Sequence, residues 1–341
     1  MDKPSALPRR SIIAPSPGFP LFSPMRILLV KTSSLGDVIH NLPVATDIRR
    51  HFPEARIDWC VEEGFAQIPR LHPAVGRTVP VAVRRWRKAL LRGETWREIG
   101  DFQRRLREVD YDLVLDTQGL FKSALLASRA RGPLAGYTGD SAREPLAARF
   151  YDRHYPVARD LHAVVRNRCL AAAALGYAAD DPVDYGIAAP ALALDWLPAR
   201  PYLVLLTATS RDDKLWPEAR WIELGGELAG RGLTVVLPAG SAVERARAAR
   251  LVAAIPGALA APAMRLDALA TLLGGARAVV GVDTGLTHLA VALRTPTVAL
   301  YTATEPGLTG VYGSGFHRNL GGAGQCPTAA AVLGELAPVL A

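Results

Sequence analysis

The sequence predicts an α/β protein built from two Rossmann-like, doubly wound halves. Three observations carry this. Short aliphatic runs alternate with helix-periodic segments; a Pro- and Asp-rich break covers residues 178–201; and the alternation then begins again. The first run, Arg26-Ile27-Leu28-Leu29-Val30, passes through Lys31-Thr32-Ser33-Ser34-Leu35-Gly36 into a helical pattern beginning at Asp37. That is a buried parallel strand, a loop at its carboxyl end and a helix, and in open α/β sheets such a loop is where ligands sit.

Residues 56–61 read as a second strand, 78–81 as a weak third, and 111–116 as a strongly buried one leading through Gln118-Gly119-Leu120 into a helix reaching about Arg131. Helical spacing covers 94–108, with Trp96, Ile99, Leu106 and Val109 as expected core contacts, and again 161–175. After the break, strands are expected at 202–206, 233–237, 278–282 and 297–301. Helices fall at 217–231, from about 243, at 266–273, at 287–293 and at 329–340. The organisation is therefore a disordered extension over 1–24, a first domain over 25–185, a linker over 186–201, a second domain over 202–327 and a terminal helix over 328–341. The extension holds six prolines (Pro4, Pro8, Pro15, Pro17, Pro20, Pro24) and no long apolar segment, which argues against a signal peptide. Translation starting at Met25 is the alternative.

With 341 residues and half of them hydrophobic, the chain buries a sizeable core, and no apolar run reaches the roughly 18–20 residues needed to span a bilayer. The net charge of +8 is uneven: residues 25–185 carry 25 basic and 20 acidic groups, residues 186–341 carry 12 and 11. The excess points to an anionic partner of the first half. Cys60, Cys169 and Cys326 form neither a disulfide framework nor a metal spacing, favouring a reducing cytoplasm.

Four stretches carry chemistry. Asp37 opens a helix after a turn with no Gly-x-Gly-x-x-Gly and no Gly-Lys-Ser/Thr, so the loop is not an ordinary nucleotide cradle. Two readings stand for it: a helix cap, or a base accepting a proton from an attacking hydroxyl. Arg84-Arg85-Trp86-Arg87-Lys88 is either a solvated basic face or part of a polyanion site; one aromatic and no recognised module argue against nucleic acid. Thr207-Ala208-Thr209-Ser210-Arg211-Asp212-Asp213-Lys214 brings hydroxyls and a lysine to a helix start where a diphosphate fits. Gly281-Val282-Asp283-Thr284-Gly285-Leu286-Thr287-His288 does the same, with backbone N–H groups aimed outward and Gly285 permitting close approach. No metal cage is recognised. Asp110-Tyr111-Asp112 lies at the wrong end of its strand, and Asp212-Asp213 is flanked by Arg211 and Lys214.

Together with Glu62-Glu63-Gly64-Phe65-Ala66-Gln67-Ile68-Pro69 and Ala142-Arg143-Glu144-Pro145-Leu146-Ala147, these motifs resemble those of the bacterial lipopolysaccharide heptosyltransferases, most nearly the type I branch, from Met25 to the end. The resemblance implies a GT-B fold and an inverting, metal-free transfer without a cofactor. The implied donor is ADP-L-glycero-β-D-manno-heptose, and the acceptor is Kdo2-lipid A at the cytoplasmic face of the inner membrane. It implies Asp37 as base and Lys214 as a catalytic phosphate contact. Donor contacts would be Thr209, Ser210, Lys214, Glu244 (ribose), Met264 (adenine), Asp283, Thr284, Gly285, Leu286 and His288. Acceptor contacts would be Ser33, Ser34, Gly36, Arg84, Arg85, Arg87, Lys88 and Arg143. The alternatives are a type II enzyme adding the second heptose, a nucleotide-sugar epimerase of the same architecture, and a non-catalytic nucleic-acid-binding protein.

Overall fold

The structure, a computed structural model, describes residues 24–197, 199 and 201–341. The expected disordered extension therefore lies, but for Pro24, outside the described residues. Two six-stranded, all-parallel sheets form the framework. The first comprises β1 (Arg26–Val30), β2 (Arg56–Glu62), β3 (Val75–Val81), β4 (Leu113–Asp116), β5 (Leu134–Tyr137) and β6 (Arg153–Tyr155), in the order β3-β2-β1-β4-β5-β6. The second comprises β7 (Tyr202–Leu206), β8 (Thr234–Leu237), β9 (Leu259–Ala260), β10 (Ala278–Val282), β11 (Thr297–Tyr301) and β12 (His317–Gly321), in the order β12-β11-β10-β7-β8-β9. Both follow the same winding, with the chain reversing direction beside the first strand of each half; this is where open α/β sheets bind ligands.

The central strands are buried end to end, as helices on both faces require: β4, β7, β10 and β11 expose no residue. β5, β6, β9 and β12 are short or lie at the edges, and the aliphatic-run criterion does not find them. β12 reads His-Arg-Asn-Leu-Gly and is half exposed.

The two domains face each other as in a GT-B fold, and one apolar cluster runs through both, from Ile27 and Leu29 to Val204 and Leu289. The contact is closest where the helix Leu35–Ile39 meets the helix Gly285–Ala292. A Cβ on Gly285 would stand 2.6 Å from the Leu35 side chain, so only glycine lets these two helix ends approach so closely. Further contacts join the halves: Tyr185 Oη donates to the Tyr312 carbonyl at 2.6 Å, and Arg294 pairs with Asp184 at 3.1 Å. The helix Ala329–Leu340 is not a separate unit. It buries Ala329, Val332 and Leu336 in the second domain's own core, against the helix Glu218–Gly230.

Trp96 departs from expectation. Although it has the helical spacing of core residues, it is 60% exposed in the first turn of the helix Gly93–Arg107, its indole N–H donating to the Leu90 carbonyl. Phe102 and Leu106 of the same helix fill the core instead.

Candidate active site

The loops at the carboxyl ends of β1, β4, β7, β8 and β10 converge on three contiguous cavities. The middle one, about 430 Å³, lies between the domains. Its first-domain wall carries Asp37, Arg84 and Arg143; its second-domain wall carries Lys214, Asp283 and His288.

Asp37 is not the N-cap of its helix. Ser34 holds that position, and Asp37 sits three residues on, completing a capping box from within the first turn. Its Oδ2 accepts from the Ser34 backbone N–H at 2.9 Å and from the Ser34 hydroxyl at 3.1 Å, and Arg143 stands 3.5 Å away. The carboxylate is fixed in direction yet lines two cavities, so capping and proton acceptance are compatible. The preceding loop is braced by Gln118: its Oε1 accepts from the Thr32 and Ser33 backbone N–H groups, and its Nε2 donates to the Ser33 carbonyl. Ser33 itself is buried, its hydroxyl accepting from Lys122, while Ser34 and Gly36 line the cleft.

Across the cleft, Lys214 Nζ donates to Asp283 Oδ2 at 2.6 Å, and the Thr304 hydroxyl donates to the same oxygen at 2.9 Å. Burial alone would raise the Asp283 pKa, but the facing His288 ring, Lys214 and Thr304 outweigh it and hold the carboxyl well below the ordinary range. Asp283 is thus an anchored anion that positions the lysine. His288 Nε2 lies 3.9 Å from the other Asp283 oxygen, while its Nδ1 meets Nε2 of buried His40 at 3.1 Å.

The second cavity, about 300 Å³, is continuous with the cleft through Thr209, Ser210 and Thr284. Pro238, Pro262, Met264 and Leu269 give it apolar walls, and Glu244 and Leu286 also line it. Glu244 caps its helix as well, its Oε2 accepting from the backbone N–H groups of Gly240 and Ser241. Every residue expected on the donor side therefore borders one of these two spaces, Met264, Glu244 and Leu286 the second, and Lys214, Asp283, Gly285 and His288 the first.

The basic run does not act as one surface. Arg84 lines the cleft. Arg85 is turned away, paired with Glu63 at 3.1 Å and with Glu98 at 2.8 Å. Arg87 and Lys88 are exposed and lie outside the three cavities. The remaining cation density sits in a third cavity of about 250 Å³, which opens from Asp37 and Arg143 towards Lys31, Arg159 and Arg166. Burial pushes the Lys31 ammonium down to about 8, against the pull of Asp37 and Asp116, and its Nζ donates to the Thr117 carbonyl and Asn167 Oδ1. Sequence reasoning gave no role to Lys31, Gln118, Arg159, Arg166 and His40. Lys31 is the first residue of the β1 loop and Gln118 follows β4, so the carboxyl strand ends were the signal that would have found both. Arg159 and Arg166 sit on other segments that tertiary packing brings in, whereas His40 caps the end of the helix that carries Asp37. Among the described residues no group of three or more His, Cys, Asp or Glu is arranged to hold a metal ion.

Comparison with known proteins gives consistent matches. The family model of glycosyltransferase family 9 (heptosyltransferase) matches residues 99–328. The chain is 55% identical over 294 residues to lipopolysaccharide heptosyltransferase 1 of Pseudomonas aeruginosa, spanning 85% of this chain and 82% of that one. Among solved structures, E. coli heptosyltransferase WaaC with ADP superposes with a TM-score of 0.86 at 45% identity, covering 92% of this chain and 100% of the other. The same E. coli protein with ADP-2-deoxy-2-fluoro heptose gives a TM-score of 0.83 at 44% identity over 92% and 99%.

Proposed function

The chain belongs to glycosyltransferase family 9, the heptosyltransferases, and we propose that it transfers L-glycero-D-manno-heptose from ADP-L-glycero-β-D-manno-heptose to the Kdo of Kdo2-lipid A, the first heptose of the lipopolysaccharide inner core. The observation that carries this reading is the placement of Asp37 and Lys214 on opposite walls of one cleft. Inversion at an anomeric carbon needs a base behind the attacking hydroxyl and a cation at the departing diphosphate. The two walls supply one each.

The adenosine would occupy the apolar second cavity with Glu244 at the ribose. The diphosphate would then meet Lys214 and the amino-terminal N–H groups of the helix Gly285–Ala292, whose dipole favours the negative charge that grows as ADP leaves. Asp37 takes the proton of the acceptor hydroxyl as its oxygen bonds to the heptose. Arg84, Arg143 and the cations of the third cavity face the acceptor, whose carboxylates and phosphates account for the basic excess of the first half. The reading includes no metal and places the protein in the cytoplasm, at the inner face of the inner membrane.

Purified protein incubated with ADP-heptose and either Kdo2-lipid A or its heptosylated product, with and without EDTA, tests this. Turnover of the first acceptor, unchanged by EDTA, is expected. Turnover of the second acceptor alone would assign the chain to type II, and loss of activity in EDTA would overturn the metal-free chemistry.

A further inference from the structure

Trp96 is an aromatic residue at a core-spaced position that the fold leaves outside, and its neighbours explain what that serves. Leu91 is fully exposed and Leu90 is half exposed on the loop whose carbonyl receives the Trp96 indole N–H. That bond holds the ring beside the two leucines as one small apolar knuckle. Beside it, between residues 87 and 97, the chain carries the exposed cations Arg87, Lys88, Arg92 and Arg97 against the single carboxylate Glu94; Arg84 faces the cleft and Arg85 is paired with Glu63 and Glu98. An exposed apolar tip flanked along the chain by cations is the pattern of a segment that sits in the headgroup region of an anionic bilayer, with tryptophan at the boundary.

A second patch has the same character. Phe121, Leu125 and Leu146 are exposed beside the exposed cations Lys122 and Arg149. The helix Phe121–Ala127 follows β4, and the turn Pro145–Phe150 follows β5 and packs against that helix. The knuckle follows β3. In the order β3-β2-β1-β4-β5-β6 the two patches therefore flank the carboxyl end of β1, the strand that delivers Asp37. With strands about 4.8 Å apart, the acceptor loop lies between them.

We propose that Leu90, Leu91 and Trp96, with Phe121, Leu125 and Leu146 across the mouth, dock the first domain on an anionic lipid bilayer so that the Asp37 cleft opens onto the membrane surface. The proposal rests on the lipid-acceptor reading above and specifies its membrane surface. Charge complementarity selects the occupant, since a neutral apolar partner would gain nothing from the exposed Arg87, Lys88, Arg92 and Arg97.

The test is sedimentation of the full chain with vesicles of phosphatidylcholine alone or mixed with phosphatidylglycerol, comparing wild type with Leu91→Glu/Trp96→Ser and with Leu146→Glu. Wild type is expected to bind the anionic vesicles and not the neutral ones. The double variant should lose about tenfold in bound-to-free ratio, Leu146→Glu less. With a deacylated, water-soluble acceptor the variants should turn over like wild type, which also confirms folding. With vesicle-embedded acceptor they should slow in proportion to lost binding. Equal vesicle binding by wild type and variants would overturn the proposal. So would a concentration-dependent dimer that Leu91→Glu/Trp96→Ser dissociates, because the patch would then belong to a second copy. If wild type fails to use the soluble acceptor while the vesicle results hold, the functional reading fails and the docking surface stands.

Discussion

His40 of the first domain and His288 of the second meet edge to face, Nε2 to Nδ1 at 3.1 Å, and form a polar link across the cleft floor. The tautomers follow from the neighbours. Asp283 is held ionised and can only accept, so His288 keeps its proton on Nε2, facing that carboxylate, and its Nδ1 accepts from His40 Nε2–H. His40 Nδ1 is then a bare acceptor, consistent with its having no partner. In this chain of contacts, His40 orients His288. His40→Phe should lower kcat by about tenfold, whereas His40→Gln, which can still donate from that position, should recover most of it. Steady-state kinetics of the two variants, read beside their melting temperatures, separates orientation from simple loss of packing.

Three buried histidines set an acid limit on the fold. Burial pushes His40 well below its ordinary value, with further lowering from His288, and pushes His72 and His162 down to about 4. Each is neutral in the native state and takes up a proton more readily when unfolded, so the native state is favoured fully above about pH 6.5 and loses that advantage as pH falls towards 4. Denaturant midpoints measured from pH 8 to about pH 4.5 should therefore stay flat down to about 6.5 and then fall. Replacing His72, whose Nε2 meets the Thr46 hydroxyl far from the cleft, by Gln should flatten part of that slope without changing activity.

How far the sequence could be read depended on how local each determinant is. The central strands and the strand-loop-helix units of Asp37, Lys214 and Asp283 are written in contiguous residues, and the structure keeps them. Edge strands such as His317–Gly321 are half exposed and lack an aliphatic signature, so pattern alone misses them. Trp96 shows the limit of helical periodicity: spacing puts it on a core stripe, but in the first turn of its helix Thr95 is the buried residue and Trp96 faces outward. Arg85 shows another limit. A run of cations does not reveal which ones meet Glu63 and Glu98, residues brought alongside by tertiary packing.

Lys214 and Asp283 form a pair that is 18% and 13% exposed, with the Thr304 hydroxyl completing the carboxylate's contacts. A diphosphate entering the cleft competes with Asp283 for the ammonium, and Asp283 prevents it from swinging into solvent beforehand. Lys214→Met should lower kcat by roughly 10²–10³ and weaken ADP-heptose binding, because the charge matters most as the diphosphate departs. The stranded carboxylate should also cost about 2 kcal/mol of stability, between the exposed and the fully buried limits. Removing both charges in Lys214→Met/Asp283→Asn should restore the stability and not the rate, as measured by denaturation and by initial velocities.

Gly285 tests whether the closeness of the two domains matters to catalysis. An alanine there would overlap the Leu35 side chain, whose Cγ, Cβ and Cδ2 all lie within 2.7 Å of the added methyl. The two helix amino termini must then part, moving Asp37 relative to Lys214. Gly285→Ala is expected to cost about 1–3 kcal/mol and to depress kcat more than donor affinity, since each half of the site survives while their register is lost. Gly226→Ala, on a helix where the added methyl meets nothing within 4 Å, is the matched control and should leave kinetics intact. A normal kcat in Gly285→Ala would show that the helices can separate without disturbing the chemistry.

Asp37 closes a capping box and faces the cleft, and one substitution can separate the two tasks. In Asp37→Asn the side-chain oxygen still accepts from the Ser34 backbone N–H, the contact now made at 2.9 Å. The helix therefore keeps its cap. What disappears is the capacity to take a proton, together with the interaction with half-exposed Arg143. Stability should change by less than about 1 kcal/mol, while transfer falls by roughly 10²–10⁴ and ADP-heptose binding, which depends on the other wall, is retained. Calorimetric titration of the donor, a thermal melt and a turnover assay on the same preparation supply the three readings. Near-normal turnover in Asp37→Asn would reduce the carboxylate to a cap and move the search for the base to the other groups lining the cleft.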